Sequence, residues 1–247
     1  MADTLVWISG ATSGIGAAMA RTCPHADAEI VNLSRRRHPE LRSIPLDLTD
    51  PGTWDAAVDD FTARLTAFRG TRAIFVHNAF HYRRAFAGEG DPAEQRAEVT
   101  ANVVAPLVLG DAFLRAAQPA LEAGVEVGLV QMSSGAAKLA YPGLAVYGAG
   151  KAAMEQWVRT VRMERTHRGG AAPWVIAVRP GFVDTPASHK DAAQPAADFP
   201  AAPALAESLA TGVGVLDPDV AAREIWAALP PTGERSVLFF GEAVGAS

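Results

Sequence analysis

The sequence predicts an α/β protein built on a doubly wound parallel sheet with helices on both faces. Three observations carry that expectation. Short apolar runs recur with helix-forming stretches between them, three Asp-Pro pairs mark helix starts, and a glycine-rich turn joins the first apolar run to the first helix. Residues 4–9 (Thr-Leu-Val-Trp-Ile-Ser) form the first strand, and 17–22 have the composition of a helix. Residues 29–34 are the second strand and 42–46 the third, with Pro45 marking an edge or irregular strand because it cannot donate to a ladder. Asp50-Pro51, Asp91-Pro92 and Asp217-Pro218 each place a capping carboxylate before a proline whose missing amide hydrogen costs nothing at the first helical position.

Residues 73–77, 125–132, 174–179 and 236–240 are the later strands, short and apolar throughout as a sheet covered on both faces requires. No repeat or linker interrupts this rhythm, so one domain over residues 1–247 is expected. The exception is 185–214, rich in Ala and Pro, which reads as a structureless insert serving as a lid or mobile loop.

Composition narrows the function. The 247 residues, 49% hydrophobic, suffice for one large core. A net charge of -5, with Arg35-Arg36-Arg37 the only basic run, gives no electrostatic footprint for nucleic acid. The single cysteine, Cys23, has no internal partner, and no Cys/His metal cluster, secretory segment or apolar stretch of about 20 residues is seen. A cytoplasmic protein acting on a small molecule, with no membrane partner and no metal, is expected.

Two motifs carry the chemistry. Ser9-Gly-Ala-Thr-Ser-Gly-Ile-Gly16 lies where the first strand meets the first helix, and Gly10, Gly14 and Gly16 let backbone amides approach a pyrophosphate at the positive end of that helix, with Ser13 and Ile15 between them. Beyond the second strand stand Ser34, Arg35 and Arg36, without the carboxylate that holds a free ribose 2′-hydroxyl; two guanidiniums there favour a 2′-phosphate, hence NADP(H), with Arg35 the stronger candidate. Tyr147 and Lys151 are spaced one helical turn apart and share a face. A fixed cation beside the phenol is expected to pull its pKa down from about 10 toward working pH, making an acid/base catalyst. Taken alone this spacing is common in ordinary helices.

Gly10/Gly14/Gly16, Asn78-Ala79, Asn102, Ser134, Tyr147/Lys151 and Pro180-Gly181, in this order across almost the whole chain, resemble the short-chain dehydrogenase/reductase family. The resemblance implies a Rossmann-like fold with a seven-stranded sheet, a nicotinamide cofactor and assembly as a homodimer or homotetramer. It selects Ser134, thirteen residues before Tyr147, over Ser133. It further implies that Asp47 and Leu48 meet the adenine ring, that Asn102 supports a water relay to Lys151, and that Val183 and Thr185, after the Pro180-Gly181 turn, face the carboxamide and phosphate.

One departure stands out. The family's Asn-Asn-Ala-Gly is here His77-Asn78-Ala79-Phe80, which puts a ring where the backbone normally passes close to the cofactor. His77 is then a structural residue, since Tyr147 and Lys151 already supply the acid/base pair. Within the family the features lie nearest the sepiapterin and benzil reductase branch, which implies NADPH-dependent reduction of a ketone or diketone with Tyr147 as proton donor. Competing readings are a catalytically idle NADP(H)-binding sensor and an NAD-dependent alcohol dehydrogenase.

Overall fold

The computed structural model describes residues 2–241. Seven strands lie parallel in one sheet: β1 (Thr4–Ser9), β2 (Ala28–Leu33), β3 (Arg42–Ile44), β4 (Arg72–His77), β5 (Glu126–Met132), β6 (Trp174–Arg179) and β9 (Val237–Phe239), in the order β3-β2-β1-β4-β5-β6-β9. The expected strands are all present, and the chain reverses direction across the sheet between β1 and β4. That switch point is where ligands bind in sheets of this kind.

Alternation along each strand assigns its side chains to two cores, because successive Cβ atoms point to opposite faces. Leu5, Trp7, Ala73, Phe75, Val127, Leu129, Val175 and Ala177 face one layer, which also contains α2 (Asp55–Ala67), α4 (Ala105–Ala116), α5 (Gln118–Glu122) and α6 (Ala145–Arg168). Val6, Ile8, Ile74, Val76, Val130, Met132, Ile176 and Val178 face the other, with α1 (Gly14–Arg21) and the helix Pro218–Ala227. The first layer is centred on Trp7, Phe61, Phe75 and Phe113, whose rings meet edge-on or tilted at 5.0–5.9 Å.

Asp91 and Asp217 cap their helices through their carboxylates, as expected. Asp50 differs: it caps a single 3-10 turn (Pro51–Thr53), and α2 begins at Asp55 behind the indole of Trp54, which donates to the Asp47 carbonyl. Helix α3 (Pro92–Val99) runs through a π-helical segment (Thr100–Val104) into α4. The continuous span Pro92–Ala116 is long and apolar enough to cross a membrane by length and composition alone, and half of its most apolar window is buried inside the protein, as in a core helix.

The insert is not structureless. It holds α7 (Pro186–Ala192) and α8 (Ala202–Thr211), and its base is closed by a small parallel ladder between β7 (Phe182–Val183) and β8 (Val215–Leu216), after which comes α9 (Pro218–Ala227). Alanine, abundant here, is the best helix former, while Pro186 and Pro203 fall in first turns where proline is tolerated. Phe199, Ala201, Ala202 and Leu205 give the insert its own apolar cluster.

Under the first layer lies a buried carboxylate. Asp60 accepts hydrogen bonds from the Trp7 indole (2.8 Å) and from Arg42 (2.7 Å), tying α2 to β1 and β3. Asp60→Ala strands the Trp7 N–H in the core, and a loss of about 1–3 kcal/mol in urea unfolding is expected, with Asp60→Asn losing less because an acceptor remains. Equal loss in both variants would contradict this account.

Candidate active site

The site lies at the carboxyl ends of the strands, where β1 and β4 part. Ser9 is the hinge of this region: its hydroxyl accepts from the backbone N–H groups of Asn78 and Ala79 (both 2.9 Å), and its carbonyl accepts from the Asn78 amide (3.1 Å). The exit of β4 is thereby fixed to the glycine loop. Gly10 donates to the Leu33 carbonyl (2.9 Å), fixing the same loop to β2.

Two glycines are demanded by geometry. Gly14 has φ +55° where it opens α1, with Ser13 extended ahead of it. At Gly16 a Cβ would stand 2.4 Å from the Gly10 carbonyl oxygen and 2.6 Å from the Asn78 amide. Any side chain there would force loop, helix and β4 apart.

Ser134 leaves β5 and hydrogen-bonds the Tyr147 phenol at the start of α6. Lys151, 4% exposed, donates from Nζ to the Met132 carbonyl (2.7 Å) and lies 5.6 Å from the Tyr147 ring centre. Ser133 serves a separate network, in which its hydroxyl donates to Glu155 (2.6 Å), as do Arg159 (3.1 Å) and Arg179 (2.7 Å from each of two nitrogens). Glu155 was not singled out from sequence. The only signal for it was its place one turn beyond Lys151 on the same helix face.

The electrostatics correct one expectation. Tyr147 is not pulled down by Lys151; burial pushes it up, the Ser134 hydrogen bond opposes this, and Asp191 and Glu98 add to the rise. Burial also lowers Lys151, from its usual 10.5 to about 8. Both groups lose hydration, and the ammonium donates to Met132 rather than to the phenol. His77, fully buried, is lowered to about 3 by desolvation and then by Lys151, so it stays neutral.

Ser13, Gly14, Ile15, Asn78, Ser134, Tyr147, Lys151, Pro180, Gly181, Val183 and Thr185 surround one cavity of about 490 Å³. Thr185 also caps α7, exchanging hydrogen bonds with Ser188, and its side chain lies beside Gly14. Gly10, Gly16 and Ala79 are not among the lining residues: Gly10 packs against Ala79 and the Asn78 amide, and Gly16 against Gly10 and that same amide.

Asn102 sits in the π-helical segment, an irregularity common at functional sites, and not mid-α-helix as its neighbours suggest. It accepts from the His81 N–H (3.2 Å) and donates to the His81 carbonyl, while its Cβ packs on Gly150 beside Lys151.

The remaining candidates lie apart, at the ends of β2 and β3. The Ser34 hydroxyl and the Asn32 amide both donate to the Arg36 carbonyl (2.7 and 3.0 Å), which stiffens that turn. Arg36 donates to the Thr12 hydroxyl of the glycine loop (3.2 Å), whereas the exposed Arg35 makes a loose pair with Asp47 (3.8 Å). Asp47 also accepts from the backbone and hydroxyl of Thr49 (2.9 and 2.8 Å), and Leu48 is buried.

The model of the short chain dehydrogenase family matches residues 4–196. The chain belongs to this family. Sulfoacetaldehyde reductase 2 of Chromohalobacter salexigens is 25% identical over 193 residues, covering 73% of each chain. The benzil reductase ((S)-benzoin forming) of Bacillus cereus is 24% identical over 192 residues, covering 73% of this chain and 76% of that one. A short-chain dehydrogenase structure from Streptomyces avermitilis superposes with a TM-score of 0.72 at 25% identity, covering 96% of this chain and 88% of its own. This family member is therefore an oxidoreductase of the CH–OH/C=O pair that uses a nicotinamide cofactor.

The depressed lysine has a stability consequence. Below pH 8 the unfolded chain holds that proton more readily than the folded one, so the penalty on folding is complete; it fades as pH rises from about 8 toward 10.5. Lys151→Met is expected to be the more stable protein at pH 7, by roughly 3 kcal/mol at most, with the gap closing across that interval. Urea titrations at several pH values measure it, and a gap that widens above pH 8 would refute the assignment.

Proposed function

We propose that this chain is an NADPH-dependent carbonyl reductase acting on a ketone or diketone. The observation that carries the reading is the convergence of Ser134, Tyr147 and Lys151 on one cavity wall, with the glycine loop and Thr185 also on its boundary. When bound, the nicotinamide supplies the hydride. Fit for it rests on the approach that Gly16 permits and on the amides at the head of α1.

Tyr147 holds its proton firmly, since burial raises its pKa, and that suits a donor that must keep its proton until the alkoxide develops on the substrate. Ser134 orients the phenol and offers its hydroxyl to the carbonyl oxygen. Lys151 supplies positive charge beneath the ring at pH below about 8. Asn102 holds the His81 main chain next to this group and supports the proposed relay from that position. Asn78, Ala79, Pro180, Gly181 and Val183 would seat the nicotinamide half, and Asp47 and Leu48 the adenine.

Arg35 and Arg36 favour the phosphorylated cofactor, with no carboxylate at the end of β2 to hold a free 2′-hydroxyl. Arg36, already against the glycine loop, is the better placed of the two. Exposed Val99, Val104 and Val108 along one helical span and Met163 on α6 support association of identical chains as a homodimer or homotetramer.

Tyr147→Phe is expected to lose about 10²–10⁴ in kcat while binding NADPH as the unsubstituted protein does, measured by NADPH oxidation and by fluorescence titration. Retained turnover with diketones would overturn the mechanism. Arg36→Ala is expected to weaken NADPH roughly tenfold or more and to leave NADH nearly unaffected, with Arg35→Ala the smaller effect; parallel losses for both cofactors would rule out a 2′-phosphate site.

A further inference from the structure

The segment leaving β4, where the family's glycine is replaced by Phe80, passes the tyrosine as an alternating run. His81 and Arg83 turn to Glu94 of α3, at 3.6 and 3.4 Å. Phe80, Tyr82 and Arg84 turn the other way. The rings of Phe80 and Tyr82 lie parallel, 6° apart in plane with centroids 5.4 Å apart, and stand 5.9 and 5.1 Å from the ring of Tyr147. Arg84 extends the stack, 4.9 Å from the Tyr82 ring and 4.3 Å from that of Phe199 in the insert.

This wall is held from both sides. Asn102 grips His81 through both main-chain groups, and Glu98, one turn earlier, accepts from the backbone of Arg83. From the insert, Asp191 of α7 accepts from the Tyr82 phenol (2.5 Å) and pairs with the buried Arg84, which also donates to the Tyr82 oxygen (3.3 Å). Most charge near the wall is committed within the protein: Arg84 to Asp191, Arg179 to Glu155 and Lys151 to Met132, while Lys138, which also lines the cavity, is exposed. Phe80 and Tyr82 stand beside Tyr147, and Tyr141, Leu144, Phe182 and Phe199 add further apolar and aromatic surface to the same cavity.

We propose that Phe80 and Tyr82 form a rigid stacking wall that selects carbonyl compounds bearing a planar conjugated ring beside the reacting carbon, a specificity that rests on the reductase function proposed above. A ring laid against a preformed aromatic face gains from offset or edge contacts without ordering the protein first. A saturated ring of similar size fills the same volume and gains only burial.

The test uses a matched pair, acetophenone and cyclohexyl methyl ketone, with NADPH. Their intrinsic reactivities differ, but that difference cancels when the phenyl-to-cyclohexyl ratio of kcat/KM is compared between variants. Tyr82→Leu and Phe80→Leu are each expected to lower the ratio about three- to tenfold, whereas Tyr82→Phe, which keeps the ring and loses the bond to Asp191, holds it within about twofold. A second readout needs no turnover: calorimetry of 1-phenylethanol and 1-cyclohexylethanol binding to the protein loaded with NADPH, where the same variants shift the ratio of Kd in the same sense. An unchanged ratio in both leucine variants, or an equal fall in Tyr82→Phe, overturns the wall even if both ketones are reduced. Phenyl selectivity in binding without reduction of either ketone would uphold the wall and reject the reductase function, so the two failures are told apart.

Discussion

The Lys151 ammonium, buried and bonded to the Met132 carbonyl, is the contact on which the rest of the site depends. A cation taken from water must be compensated, and the carbonyl of Met132, the last residue of β5, supplies the acceptor. Once that bond is made, Tyr147 stands one turn earlier on α6, above Ser134. Glu155, one turn later, repeats the device with opposite sign, gathering Ser133, Arg159 and Arg179 onto a single buried carboxylate. Strand ends β5 and β6 are thus both referenced to one helix, and the turn at Pro180-Gly181 inherits its position from Arg179.

The loops follow the same rule. Ser9 binds the start of the 78–84 segment to β1, and Asn102 holds its middle from the π-helical segment. A regular α-helix would carry Glu98 and Asn102 on one face at a fixed rise; widening the turn between Thr100 and Val104 accompanies the grip of Asn102 on the His81 backbone and of Glu98 on the Arg83 backbone. Asp191 closes the arrangement from the insert. Stability and substrate access are consequently linked through a few buried polar groups, each of which costs free energy unless all its partners are present.

Much of this was legible in the sequence because it is local. Strand positions followed from short apolar runs, and two of three Asp-Pro caps landed where expected since the capping bond spans only three residues. Tyr147 and Lys151 were identified by spacing and Ser134 by the family resemblance, and the three are brought together. The insert was misread because abundant Pro and Ala look like a loop, yet Pro186 and Pro203 occupy first turns and alanine continues the helices. Asn102 gave no hint of a π turn, as that depends on which backbone groups its side chain meets. Arg35 was ranked above Arg36 from the sequence, but position gives no basis for that order, because the direction of each guanidinium is set by Thr12 and Asp47, both distant in the chain.

The direction of the tyrosine's pKa shift shows where sequence reasoning stops. Spacing of four residues placed a cation near a phenol, and nearness alone predicts a lowered pKa. Burial of both groups reverses that, and burial is a property of everything packed around them. Periodicity and short-range spacing encode the order of strands and helices along the chain, the glycine loop and the Tyr147/Lys151 pair, and the resemblance carried by the ordered motifs adds Ser134, Asn102 and the family; all of these are readable from the chain alone. Packing in three dimensions set the electrostatic state of Tyr147, the partners of Lys151 and Glu155, and the aromatic wall that Asp191 and Arg84 hold beside it. Those depend on which side chains exclude water from one another across more than a hundred residues of chain, and no local pattern records that.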